Sequence, residues 1–483
     1  MRVLNPQTLF SFLLPIRILT IVTILPFTCL RGSRAFVTVW PTKLKANRFS
    51  YCPSFPSSLS TRSTLATIAR MSSKSIPLLS FNDFLAATPK SSITIPNNTT
   101  FIVGNQAGDA DSIISALALA YVDYLKQPNG PHKVPIVSIP RADLVLRRDT
   151  VLLLSLANID PTNLLYTDDV AALMATVQDP QLILVDHNRL LHTEFNNNNK
   201  SPIIIEIVDH HYDEGHYQNA TVRNICFDDT AVASTCTLIA ERLFVHTPNN
   251  KMTTIPTDLA IALLGVLVLD TVHSSPVAGK VTPRDTIVME QLITHTDWSL
   301  LSNTSLLQND RTTSTIDTTL LFNYLSNAKF DSDFWKSLSV TDTLRLDFKR
   351  FEMNGTTGTM DSFGVSSVLL PMKEFLKKDA CMEELQHYLT AHQLPILLVM
   401  SMHVVDGKPE RDILICGNTT AWVTDLENFM LSNDSLEATK MEMKNDENDG
   451  VSVTWLAQGN ARASRKQVAP MVLDFFNQQQ ESF

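Results

Sequence analysis

Three apolar runs along this chain stop on an aspartate, and a fourth meets two aspartates within eight residues. Thr99-Thr100-Phe101-Ile102-Val103 runs straight into Gly104-Asn105, with Asp109, Asp111 and Ser112 close behind. The run 181–185 (QLILV) stops on Asp186-His187-Asn188, and 202–208 (PIIIEIV) on Asp209-His210-His211. The eleven-residue run 259–269 (LAIALLGVLVL) stops on Asp270-Thr271. Short continuous apolar runs are how strands of a doubly covered parallel sheet read in sequence. Such sheets hold ligands at the carboxyl ends of their strands. The pattern predicts an α/β domain with a mostly parallel sheet flanked by helices, its acids gathered at one sheet edge.

The expected strands are 99–103, 134–139, 181–185 and 202–208; the expected helices are 112–126, 168–177 and 230–245. Residues 259–269 are too few to span a bilayer. Their Ala/Leu content and Pro-Thr-Asp start favour a buried helix, with a buried strand as the alternative. Asn196 to Asn199 reads as a surface loop, and the Thr/Ser/Asp-rich stretch 299–340 as a linker. A second, smaller α/β unit follows over 341–483. Its strands are expected at 364–370, 395–405 and 411–416, and its helices at 373–391 and from about 420. Asn445 to Gly450 reads as a turn.

Charge separates the chain into two parts. Residues 1–82 hold no acid and ten of the 39 Lys/Arg, so the remainder sets 29 cations against 49 acids, a formal −20. An acidic body argues against general nucleic-acid binding. An anionic substrate must meet a local basic patch. The acid-free start, with its apolar 9–30 and a Ser/Thr/Arg-rich continuation, reads as a targeting leader over residues 1–74. It resembles the bipartite leaders of algae with complex plastids. A mitochondrial presequence, a membrane anchor, or a true start at Met71 with a cytoplasmic product are the alternatives. No stable membrane span is expected in the mature protein. The six cysteines form no CxxC pair, which points to free thiols rather than zinc or redox chemistry.

Between strand and helix, Asp109 and Asp111 have two readings. A helix cap explains one acid well and the second loosely. A metal site explains both. Asp109, Asp111, Asp186, His210 and Asp270 are the ligand types that hold two hard or borderline divalent ions, and four such events in order favour the metal reading.

The ordered set GNxxxDxDS, DHN, DHH and LDT resembles the DHH phosphoesterase superfamily. Residues 139–149 (IPRADLVLRRD) resemble a segment of the eukaryotic exopolyphosphatase and prune proteins. Thr271, Ser274-Ser275-Pro276, Thr282 and Asp285 resemble family II inorganic pyrophosphatases. Residues 346–351 (LDFKRF) and 464–470 (SRKQVAP) resemble the two phosphate-binding motifs of the DHHA2 domain. The resemblance spans about 95–480. Two departures narrow it: Asn105 stands where the pyrophosphatases have His, and His211 is intact where animal prune proteins have Arg.

The resemblance implies an exopolyphosphatase that releases terminal phosphate from inorganic polyphosphate at a site in the cleft between its two domains. Two divalent ions, Mn2+ or Mg2+, would bind Asp109, Asp111, Asp186, His210 and Asp270, with Asp186 and Asp270 bridging them and activating a water between them. His211 would act as general acid. Asp209 would orient a ligand, and Asn105 would be a weak ligand or a hydrogen-bond partner of the metal shell. Lys349, Arg465 and Lys466 would grip substrate phosphate, with Lys349 and Arg465 counted among the catalytic groups. Arg141, Arg147 and Arg148 would guide further phosphates, or form a solvated basic loop. The alternatives are a manganese-dependent pyrophosphatase, a cyclic-nucleotide or short-oligonucleotide phosphodiesterase, and a prune-like interaction protein.

Overall fold

The computed structural model describes residues 79–88, 96 and 99–480, apart from 176, 178, 196–200, 246–253, 310–313, 353–361, 407 and 444–449. The leader read over 1–74 and the Asn196 to Asn199 tract lie outside the described residues. So does the expected turn at 445–450, except Gly450.

The first sheet has six strands: β1 Thr100–Val103, β2 Lys133–Val137, β3 Leu165–Tyr166, β4 Gln181–Val185, β5 Ile203–Asp209 and β6 Val222–Ile225. Their order is β3-β2-β1-β4-β5-β6, and every pairing is parallel. Both faces are buried, which explains the unbroken apolar runs. In β4, Ile183 and Val185 enter one core cluster, while Leu182 and Leu184 enter another on the opposite face. The strand order reverses between β1 and β4, the place where open parallel sheets leave a crevice. Register then sets the level of the acids. Val103 pairs with Leu184 and Val185 with Val208, so Asn105, Asp186 and Asp209 leave the sheet side by side.

Helices Ala110–Lys126, Thr235–Val245 and Thr257–Asp270 cover one face. The last is the run 259–269, a helix rather than a strand. Buried along nearly its whole length, it has no polar face to betray its period. The expected helix 230–245 begins later, at Thr235, after a short 3-10 turn over Asp228–Thr230.

Residues 299–340 are not a linker. They hold a small hairpin, β7 Leu307–Asn309 with β8 Ser314–Ile316, and the helices Thr318–Lys329 and Ser332–Ser337. Leu321 and Leu325 enter the core of the first domain, and Trp335 that of the second. Two of the acids that suggested a linker are caps: Asp317 accepts the Leu320 amide at 2.9 Å, and Asp331 accepts those of Asp333 and Phe334.

The second sheet comprises β9 Phe348–Glu352, β10 Ser362–Val368, β11 Ile396–Val405, β12 Lys408–Gly417, β13 Ala438–Lys440 and β14 Ser452–Gln458. Its order is β13-β14-β12-β11-β10-β9, antiparallel except for β10 with β11. The helix expected at 373–391 is broken into Met372–Phe375 and Cys381–Ala391, with Ala380 in a left-handed conformation (φ 50°). The closing helix Arg465–Gln480 begins inside the basic motif. No helix among the described residues is long and apolar enough to cross a membrane.

Candidate metal and phosphate site

The loop after β1 is built by close approach. A Cβ on Gly104 would stand 2.8 Å from the Ser112 side chain and carbonyl, so only glycine lets the first helical turn fold back on the strand. Gly108 takes φ 57° with Ile139 packed against it. Asp109 caps its own helix by accepting the Ser112 amide at 3.0 Å. Asp111 caps a different one. Its Oδ1 accepts from Ser234 Oγ (2.6 Å), the Cys236 amide (3.0 Å) and Ser115 Oγ (3.3 Å), and its Oδ2 from the Thr235 amide (2.8 Å). The capping reading therefore accounts for both acids, through two separate helices. Asp111 Oδ2 still lies 3.7 Å from His210 Nε2.

Asp186 leaves β4 with φ 62°, a left-handed conformation that Asp tolerates better than most residues. Its Oδ2 accepts from Asn105 Nδ2 and Ser112 Oγ, both at 2.7 Å, and its Oδ1 from Thr235 Oγ1 at 3.3 Å. His210 Nε2 stands 3.4 Å from that Oδ1 and His211 Nδ1 3.5 Å. Asn105 also spends its Oδ1 on the Ala107 amide, so its side chain holds Asp186 in place rather than offering a free oxygen.

Asp209 is fully buried at the end of β5. Its Oδ1 accepts the His210 amide (2.8 Å), the His211 amide (3.2 Å) and His211 Nδ1 (2.8 Å), while Asn188 Nδ2 donates to its Oδ2 at 2.7 Å. Burial raises the Asp209 pKa, but His211, His210 and Asn188 together outweigh it and hold the carboxyl well below the usual carboxylate range. The bond from Nδ1 leaves Nε2 as the reactive nitrogen of His211. Burial, with Lys466 and Lys349 nearby, pushes the His211 imidazolium well down, against Asp209. His210 is oriented through Nδ1 to the Val232 carbonyl at 3.0 Å, which leaves Nε2 as a lone-pair donor.

Asp270 ends its helix with Oδ2 buried and without a hydrogen-bond partner. Burial and the like charges of Asp111 and Asp109 push both Asp186 and Asp270 up to about 7. Asp186, His210 and His211 offer ligand atoms all within 4.8 Å of one another. An orphaned carboxylate oxygen, two strained carboxylates and an imidazole lone pair are what a divalent cation would relieve. Lys466 already brings one positive charge there, its Nζ 3.2 Å from His210 Nε2.

Residues 99–266 match the DHH family, N-terminal domain, and residues 324–475 match the DHHA2 domain. The chain is a DHH-family protein with a DHHA2 domain. A Schizosaccharomyces pombe protein named "Putative exopolyphosphatase" is 26% identical over 397 residues, covering 80% of this chain and 94% of its own. "Exopolyphosphatase PRUNE1" of Homo sapiens is 26% identical over 378 residues, covering 77% and 74%. Among solved structures, a chain described as "Methanococcus jannaschii putative family II inorganic pyrophosphatase" is 20% identical, covers 78% of this chain and 99% of its own, and has a TM-score of 0.48.

From the DHHA2 domain, Lys349 on β9 lies within electrostatic reach of Asp186 and Asp109, and burial and Arg465 lower its pKa. Arg465 is gripped by Asp347, through the carbonyl (2.9 Å) and Oδ1 (2.7 Å). Asp347 thus fixes the Arg465 guanidinium. In the Arg-rich segment of the DHH domain each arginine has partners within the chain, and Arg141 and Arg148 stay half-exposed. Arg141 stacks 4.2 Å over the Tyr166 ring and pairs with Asp169 at 2.9 Å. Arg148 pairs with Asp331 and lies 5.1 Å over the Phe334 ring. Arg147 is buried and donates to the carbonyls of Gly108 (3.1 Å), Asp143 (3.0 Å) and Ala107 (2.7 Å). It therefore braces the loop carrying Asp109 instead of guiding phosphate. Ser112, Thr235 and Asn188 were missed by sequence reading. The DHN motif carried a signal for Asn188 and the GNxxxDxDS motif one for Ser112; nothing local marked Thr235.

Proposed function

We propose that this protein is a divalent-metal-dependent phosphoric anhydride hydrolase, an exopolyphosphatase that releases terminal phosphate from inorganic polyphosphate. One observation carries the reading: buried Asp186 clusters with His210 and His211, buried Asp270 lies within electrostatic reach of His210, and the DHHA2 lysine Lys466 faces them. The names of the relatives agree with it. Asp109, Asp111, Asp186, His210 and Asp270 are the residues that would hold two divalent ions, Mn2+ or Mg2+. Ions bound there would supply Lewis-acid activation of water and neutralisation of phosphoryl charge.

The remaining work falls to the chain. Asn105 and Ser112 aim Asp186 through their hydrogen bonds. Lys466, Lys349 and Arg465 bind the anionic substrate, Arg465 as a planar fork already set by Asp347. Burial and the Lys466 and Lys349 ammonium groups keep His211 uncharged in the free protein; a bound phosphate would offset those ammonium groups, and His211 is the proposed general acid, giving a proton from Nε2 to the leaving oxygen. The leader over 1–74 is proposed to direct the protein to an organelle, with a plastid first. A fluorescent fusion of that segment tests this, and a diffuse cytosolic signal rejects it.

The deciding assay follows phosphate release from pyrophosphate, tripolyphosphate, long polyphosphate and cyclic AMP, with Mg2+ and with Mn2+. Polyphosphate should lead, and Asp186→Ala should abolish turnover in a protein that remains folded. Preference for pyrophosphate moves the assignment to a pyrophosphatase, activity on cyclic AMP to a phosphodiesterase, and inactivity with both metals to an interaction protein.

A further inference from the structure

Lys329 is the last residue of the helix Thr318–Lys329, inside the stretch that reads as a linker. A lysine at a helix C-terminus is ordinary, because it suits the dipole of its own helix. This one has partners elsewhere. Its Nζ lies 3.4 Å from Asp149 Oδ2, on the helix that follows the Arg147 brace. With Asp109, Asp149 and Asp347 it lines a cavity of about 100 Å3 where the DHH and DHHA2 domains meet. Asp270 is also within electrostatic reach. The ammonium is therefore ringed by acids of three kinds. Asp149 is an anchor, Asp109 and Asp270 belong to the proposed metal site, and Asp347 holds Arg465.

We propose that Lys329 is a positioning residue that sets the affinity of the Asp109/Asp270 side of the site for divalent cations, by dividing its charge between those two acids and Asp149. The inference rests on the metal-dependent reading above. The physical reason is competition. A fixed ammonium near two carboxylates satisfies part of the charge that a cation would otherwise satisfy, so it lowers cation affinity. Asp149 draws the ammonium away and so protects that affinity. The arrangement keeps the crowded acids tolerable before an ion arrives, and its strength depends on how far Asp149 holds Lys329 back.

Two substitutions push the balance in opposite directions. Lys329→Gln removes the competing charge and should tighten binding of Mn2+ alone to the full chain, by about 3- to 10-fold in Kd. Asp149→Asn frees the ammonium toward Asp109 and Asp270 and should weaken Mn2+ binding by a similar factor. Lys329→Arg should keep near-native affinity. Calorimetric titration gives the Kd values, and thermal unfolding of each variant shows that it is folded. A role confined to anchoring the helix predicts that Lys329→Gln and Asp149→Asn shift Kd the same way. That result, or an unchanged Kd in Lys329→Gln, overturns the inference while leaving the proposed function intact. Absence of Mn2+ binding by the unaltered chain overturns both.

Discussion

At the Asp186 carboxylate, three donors and two imidazoles meet within 3.5 Å. That company does not make its ionisation easy. Burial, then Asp111 and Asp109, push Asp186 up to about 7, and Asp270 follows for the same reasons with Lys329 opposing. A carboxyl whose pKa is higher in the folded chain than in the unfolded one binds protons better when folded. Its contribution to stability is full below the unfolded value near 4 and is lost as pH rises through about 7. The metal-free protein should therefore lose thermal stability from pH 5 to pH 8, by on the order of a few kcal/mol for the pair. Saturating Mn2+ should restore it, increasingly so toward pH 8, because the ion takes the place of the protons. Unfolding midpoints at four or five pH values, with and without Mn2+, check this. A profile flat in the absence of metal would show that the two acids are not held as described.

The helix Thr318–Lys329 shows what composition hides. Only Leu321 and Leu325 are fully buried on it, with Leu320 and Phe322 partly so, and the Thr, Ser and Asn residues around them make it resemble a tether in sequence. If it is an integral wall, Leu325→Ala should destabilise the fold by about 2–5 kcal/mol, since it leaves a hole in the main core cluster. A tether would give a change near zero in chemical denaturation. The contrast with β1, β4 and β5 is instructive. Those strands are covered on both faces, so burial wrote itself into most positions and their ends were legible to within a residue. The ligand-type side chains at those ends were legible for the same reason. The fate of Arg141, Arg147 and Arg148 was not, because a cation's role depends on acceptors far along the chain, such as Asp331 for Arg148. Asp111 makes the same point: the amides it caps, at Thr235 and Cys236, are more than 120 residues away.

Across the whole molecule, polar contacts join the DHH and DHHA2 domains around the site. Arg189 pairs with Glu352, Arg345 with Asp143, and Lys466 meets His210. Exposed or half-exposed ion pairs contribute only about 0–1 kcal/mol each. Such contacts guide the domains together without locking them, and a polyanion between them can add much more. Lys466 is where that coupling is sharpest. It stands beside a proposed metal ligand, yet belongs to the domain proposed to hold phosphate. Lys466→Ala should lower kcat/KM on tripolyphosphate about 10- to 100-fold, the range of one lost charge-assisted hydrogen bond. Lys466→Arg should recover part of this. The same substitution removes a cation 3.2 Å from His210 Nε2, so affinity for Mn2+ should rise while catalysis falls. Opposite movements of the two quantities are what a phosphate-binding lysine at a metal edge requires. If Lys466→Ala weakens Mn2+ binding and catalysis together, with a lowered unfolding midpoint, Lys466 supports the domain contact and the phosphate must be held by Lys349 and Arg465 alone.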